Sequence, residues 1–125
     1  MRDVITTPEA PKAIGPYSQA IKANGFVFTS GQIAIDPVTN TLVSGDVAFQ
    51  TDRVMKNLRG ILMAVGSGLD KVVRATVFLK NMNDFAAMNE VYGKYFSSAP
   101  PARSTVEVAR LPKDVLVEID VIALT

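Results

Sequence analysis

The segment Val115-Leu116-Val117-Glu118-Ile119-Asp120-Val121-Ile122-Ala123-Leu124 constrains this chain more than any other. It reads as a strand rich in β-branched residues. Strand alternation points Val115, Val117, Ile119, Val121 and Ala123 one way and Leu116, Glu118, Asp120, Ile122 and Leu124 the other. Both faces are largely apolar, so both call for cover. A chain of 125 residues is the size of one domain, residues 1–125, and its pattern supplies two helices, enough for one face of a sheet. The other face then either takes a second protein chain, which makes the protein an oligomer, or stays exposed.

The remaining elements follow from local signals. Val4 to Thr6 reads as a short strand, followed by a loop holding Pro8, Pro11, Gly15 and Pro16. Tyr17 to Ala23 and Phe26 to Ser30 flank Asn24-Gly25, the preferred pair for a two-residue type I′ turn. That turn sets Ala23 opposite Phe26, Gln19 opposite Ser30 and Tyr17 opposite Gln32, gathering Tyr17, Ser30, Gly31 and Gln32 at the open end of a hairpin. Asp46 is an N-cap for a long helix whose stripe is Val47, Thr51, Val54, Leu58, Ile61, Leu62 and Val65, with a stop expected near Gly66 or Gly68. Val72 to Lys80 reads as a strand. Asn83 or Asp84 caps a second helix with the stripe Phe85, Met88, Tyr92 and Phe96, which has ended by Pro100-Pro101. Ala102 to Ala109 is the next strand. The whole is an α+β pattern, with the helices on one face of the sheet.

Composition narrows the chemistry. The chain has neither Cys nor His, which removes disulfides, thiolate nucleophiles, Ser-His-Asp triads and imidazole or thiolate metal ligands. Its formal net charge is +1, without a basic stripe for polyanions. No signal peptide or span of roughly 20 apolar residues is present, so a cytoplasmic protein is expected.

Among residues left to carry chemistry, Glu118 stands out inside its apolar strand. It is either a paired structural carboxylate or one whose pKa is raised, as suits a general acid or base. Arg103 follows the stiff Pro100-Pro101 pair, shares a strand face with Thr105 and Glu107, and offers a planar fork for a carboxylate. The plain alternative is a surface arginine or an ion pair with Glu107 or Glu118. Asn89, next to the stripe residue Met88, faces either a pocket or solvent.

The run PPARSTVEVARLPKDVLVEIDVIAL resembles the C-terminal signature of the RidA family, the YjgF-type reactive-intermediate (imine) deaminases, through Pro101-Ala102-Arg103-Ser104 and Val117-Glu118-Ile119. Ala13 to Ala20, Thr29 to Ile33, and Asn83-Asp84-Phe85 with Asn89 and Tyr92 match in order. The resemblance implies a chorismate-mutase-like fold: a mixed sheet with two helices on one face, the other face buried in a homotrimer with sites between subunits. It implies that the final strand lies inside the sheet, whereas a local reading would pair the last two strands as a hairpin around Leu111 to Asp114.

The reaction implied is hydrolysis of 2-imino acids, namely 2-aminoacrylate with its tautomer 2-iminopropanoate, and 2-iminobutanoate, to 2-keto acids and ammonia. No metal or organic cofactor enters it. Arg103 takes the role of carboxylate clamp and Glu118 that of the group activating water. Tyr17, Ser30, Gly31 and Asn89 match pocket positions, and Thr105 falls where many relatives carry a cysteine. Two other functions are weighed: a non-enzymatic regulator binding small acids at the same clefts, and an endoribonuclease or translation inhibitor. Low net charge and the lack of His speak against the latter.

Overall fold

The computed structural model describes residues 1–125. Its sheet is built outward from the Asn24-Gly25 turn, where both residues have positive φ, 54° and 84°, as a type I′ turn requires. The turn joins β2 (Ala20–Ala23) to β3 (Phe26–Thr29), with Ala23 opposite Phe26 and Ala20 opposite Thr29. One further backbone bond, from Ser30 N–H to Gln19 O at 2.9 Å, extends the expected register.

There the hairpin ends, and the expected pairing of Tyr17 with Gln32 does not form. Tyr17 N–H turns back to Gly15 O, while Gln32 exchanges backbone bonds with Ile119 at 2.8 and 3.1 Å. The buried Gln19 side chain ties down the preceding loop. Its amide accepts from Thr7 N–H and donates to the carbonyls of Thr7, Ala10 and Pro11. The first strand, β1 (Arg2–Ile5), begins earlier than the expected Val4 to Thr6 and pairs with β2. A separate two-stranded ribbon joins β4 (Ile35–Asp36) and β5 (Thr41–Leu42).

Helix α1 (Val47–Met63) starts as its sequence dictates, with the Asp46 carboxylate accepting from Phe49 N–H at 2.9 Å. Its buried stripe includes Val47, Thr51, Val54, Leu58, Ile61 and Leu62; Val65 lies past the helix end and is only partly buried. Asp84 stands at the N-cap of helix α2 (Phe85–Tyr95), one of the two positions expected, but its side chain makes no cap bond; Asn81 accepts from Asn83 N–H in a short 3-10 turn ahead of it. Met88, Tyr92 and Phe96 are buried, but Phe85 is 36% exposed and lies against Arg103 instead of the core.

The remaining strands are β6 (Val72–Leu79), β7 (Ala102–Glu107) and β8 (Val117–Leu124), and the sheet order is β1-β2-β3-β8-β6-β7. β8 is antiparallel to both β3 and β6, whereas β7 runs parallel to β6 after the crossover through α2. The last two strands therefore form no hairpin; a tight turn at Pro112–Asp114 lies between them. Val117, Ile119, Val121 and Ala123 are at most 1% exposed beneath the helices. Each larger side chain among them contributes roughly 1.5–3 kcal/mol through burial. The opposite, open face carries Phe28, Val106 and Leu124 at 42%, 42% and 45% exposure. No helix is long and apolar enough to cross a membrane.

Candidate functional site

The register of β8 decides what surrounds Glu118. Phe78 on β6 lies opposite Glu118, and Val106 on β7 lies opposite Phe78, so all three occupy the open face. The Gln32–Ile119 bridge lays residues 30–32 along β8 beside them. At Gly31 the backbone and the Glu118 side chain meet so closely that an added Cβ would overlap Oε2 and lie 2.8 Å from the carboxyl carbon. Only glycine lets both occupy these positions. The Ser30 hydroxyl donates to Ser18 O, and the Tyr17 hydroxyl accepts from Ile14 N–H at 3.4 Å.

Tyr17, Ser30, Gly31 and Glu118 thus line one cavity of about 580 Å³. Its wall also includes Lys12 and Lys113, which sequence reading passed over because single lysines in loops carry no pattern. No cation lies within ion-pair distance of the Glu118 carboxylate. Burial pushes its pKa above the ordinary carboxylate value, and repulsion from Asp120, two residues along the same face, adds to the rise. This is a carboxyl group able to gain and lose a proton beside a solvent-accessible cavity.

Arg103 is elsewhere. It lies opposite Ala75 on β6, a residue fully buried on the helix face. Its side chain therefore leaves the sheet on the side away from Glu118. Nη1 donates to Asn89 Oδ1 at 2.7 Å, and the guanidinium carbon sits 4.8 Å from the Tyr92 ring centre and 5.5 Å from that of Phe85. An aromatic corner and one amide thus hold the fork while leaving other N–H donors free. Neither carboxylate considered for pairing reaches it; Glu107 accepts from Met82 N–H at 2.8 Å.

Thr105 shares the helix face with Arg103, as alternation requires, and its Oγ1 is buried without a partner. The Tyr92 hydroxyl is likewise buried and unpartnered. Burial raises the Tyr92 pKa, with the nearby Arg103 charge pulling the other way. One chain consequently sorts the expected residues into two groups: Tyr17, Ser30, Gly31 and Glu118 around the cavity, and Asn89, Arg103 and Thr105 on the opposite face. Tyr92 and Phe85, expected as core, also serve the second group.

Comparison with known proteins bears on this arrangement. The family model described as Endoribonuclease L-PSP matches residues 7–125. A RutC family protein of Pyrococcus horikoshii is 58% identical over 123 residues, covering 98% of each chain. Reactive Intermediate Deaminase A, chloroplastic, from Arabidopsis thaliana is 48% identical over 98% of this chain and 65% of the plant protein. The crystal structure of E. coli TdcF with bound serine superposes with a TM-score of 0.94 at 43% identity, covering 98% of both chains.

Proposed function

The chain belongs to the RidA family, the group described as Endoribonuclease L-PSP, and on that premise we propose that it hydrolyses 2-imino acids to 2-keto acids and ammonia. The substrates are 2-aminoacrylate, through its tautomer 2-iminopropanoate, and 2-iminobutanoate. The observation that carries the reading is Glu118: a half-buried carboxyl group with a raised pKa, set against Gly31 in an accessible cavity. A relative that matches 98% of this chain, over 65% of its own length, is named a reactive intermediate deaminase, and another holds serine, a small amino acid of the same size class.

In this reading residues 1–125 form a single domain that works as a cytoplasmic homotrimer. Arg103 of one copy joins Tyr17, Ser30, Gly31 and Glu118 of its neighbour. The back-to-back placement of Arg103 and Glu118 in one chain and the apolar open face both support a site completed by a second copy. Arg103, steadied by Asn89, grips the substrate carboxylate and fixes the imine carbon. The Thr105 segment lies beside that grip, where its backbone N–H serves the substrate.

Glu118 takes a proton from water as the water oxygen bonds to C2 and passes it to nitrogen, giving a carbinolamine. It then passes the hydroxyl proton to nitrogen in the same way as the C=O bond forms and the C–N bond breaks, so ammonia leaves carrying both protons of the water. The step involves no change of oxidation state and calls for no cofactor.

The test generates 2-aminoacrylate or 2-iminobutanoate in situ with a serine/threonine dehydratase and traps surviving imine with semicarbazide. Wild type is expected to speed keto-acid release and Arg103→Ala to lose that effect while keeping its assembly. A folded wild type without effect on either imine would defeat the reading.

The family description itself favours a second reading, RNA cleavage. It predicts RNA binding that weakens steeply with salt, where a small-acid pocket responds mildly. Ligand binding without turnover would instead mark a small-acid regulator.

A further inference from the structure

We propose that the cavity containing Glu118 also accepts 2-imino acids bearing a second carboxylate on the side chain, and that Lys113, with Lys12, selects them. The inference rests on the deaminase reading and deepens it. In that reading Arg103 of a neighbouring copy takes the 2-carboxylate, so cations on the cavity wall are surplus to a substrate with one carboxylate.

The cavity has such cations. Lys12 and Lys113 both line it, and Glu118 is the sole acid on its wall. Neither lysine is in an ion pair; the chain's two ion pairs are Lys56–Asp52 and Arg110–Asp114. The second pair matters for Lys113. Asp114 is its adjacent carboxylate, and Arg110 occupies both of its oxygens, at 2.9 and 3.3 Å. The ammonium of Lys113 is thereby left for something else.

The backbone supports a purpose at this position. Lys113 and Asp114 have φ of 56° and 55°, two consecutive non-glycine residues in the left-handed region. Such a conformation persists only where its surroundings impose it, and it clusters at ligand sites. Here Leu111 and Val115 are buried at 6% and 3% exposure on either side of the turn, which anchors its two ends, and the exposed Arg110–Asp114 pair spans it. The turn is thus fixed with Lys113 on the cavity wall. The backbone leading into Lys12 is held as well, because Gln19 donates to the carbonyls of Ala10 and Pro11 at 3.1 and 2.8 Å.

The cavity, about 580 Å³, has room for a side-chain carboxylate. The chemistry is the same hydrolysis: water oxygen bonds to C2, the C–N bond breaks, ammonia departs, and the product is a 2-keto dicarboxylate. Two unpaired ammonium groups on the wall also favour approach of a dianion over a monoanion.

The experiment makes two imines in situ with amino-acid oxidases and catalase, one from aspartate and one from 2-aminobutanoate, and follows trapping by semicarbazide. Wild type is expected to accelerate both hydrolyses. Lys113→Met should cut kcat/KM for the dicarboxylic imine about tenfold, through KM, and leave the monocarboxylic imine within about twofold. Lys113→Gln, which keeps a polar side chain, separates charge from packing, and unchanged melting temperatures exclude misfolding.

Turnover of the monocarboxylic imine without turnover of the dicarboxylic one overturns the inference alone. Equal loss on both imines in Lys113→Met also overturns it. If neither imine is turned over, the deaminase reading fails, and binding of oxaloacetate against 2-oxobutanoate decides the inference. A preference for the dicarboxylate that Lys113→Met removes supports it, and no preference overturns it.

Discussion

Gly31 and the Glu118 carboxylate occupy the volume that a single methyl group at position 31 would need. Gly31→Ala therefore displaces the carboxylate from the cavity wall. Misplacing a catalytic group by about 1 Å lowers turnover roughly 100-fold, so the expected result is a loss of kcat on that scale. The measurement is steady-state kinetics on 2-iminobutanoate beside a thermal melt. A variant with wild-type kcat would mean that Glu118 does not act from this position.

The pKa of Glu118 makes a prediction of definite sign. Burial, with Asp120 second, raises it above its ordinary value of 4.5, so the folded chain holds this proton more tightly than the unfolded chain. Its contribution to stability is full below the unfolded value and is lost as pH rises through the folded value. Glu118→Gln, which stays neutral, should melt above wild type at about pH 8 and lose that advantage near about pH 3.5. It should also be inactive on imines. Identical melting curves at both pH values would contradict a raised pKa.

Asn89 holds Arg103 through one charge-assisted hydrogen bond of 2.7 Å. Asn89→Ala frees the guanidinium from its corner on Tyr92 and Phe85. KM for the imino acid should rise about tenfold, with a smaller change in kcat. Asn89→Asp should do more harm, because a carboxylate there competes with the substrate for Arg103. Kinetics of the two variants, compared at equal ionic strength, check the order.

The helices are tied by another pair. The Tyr95 hydroxyl on α2 donates to Asp52 on α1, and burial followed by this bond pushes the Tyr95 pKa up to about 12. Burial pulls the Asp52 pKa upward, but Tyr95 and Lys56 outweigh it and hold it below its ordinary value. Tyr95→Phe should lower stability by about 1 kcal/mol, a figure reduced for the partial exposure of Asp52. A raised tyrosine pKa gives stability that is whole below pH 10.0 and is lost as pH approaches about 12. The wild type should therefore lose stability across that interval more steeply than Tyr95→Phe in denaturant titrations.

The alternation of β8 made its two faces legible, and Asn24-Gly25 the hairpin register, because both depend on residues adjacent in sequence. The α1 stripe was legible for the same reason. What lay hidden depends on distant partners. Asn57 gave no signal in the sequence, yet it is fully buried in α1, where it donates to the carbonyls of Ile33 and Ile35. Tyr17 belongs to the cavity although its strand pairing fails, since Gln32 finds Ile119 in place of Tyr17.

Arg103 and Glu118 were each conspicuous in the sequence. That they face opposite ways follows only from β7 pairing in parallel with β6, which places Arg103 beside Ala75 and Glu118 beside Phe78. Lys113 gave no signal, because nothing in Leu111-Pro112-Lys113-Asp114 announces two left-handed residues.

The opposed facing of Arg103 and Glu118 has a genetic consequence. If each reaction centre borrows its arginine from one polypeptide and its glutamate from another, the two lesions are not equivalent to one broken gene. Chains carrying Arg103→Ala and chains carrying Glu118→Ala would each be dead when made alone. Produced together, they would form mixed assemblies in which some centres draw both intact residues from different parents. Two null alleles would then rescue each other, while a single chain bearing both lesions would rescue neither.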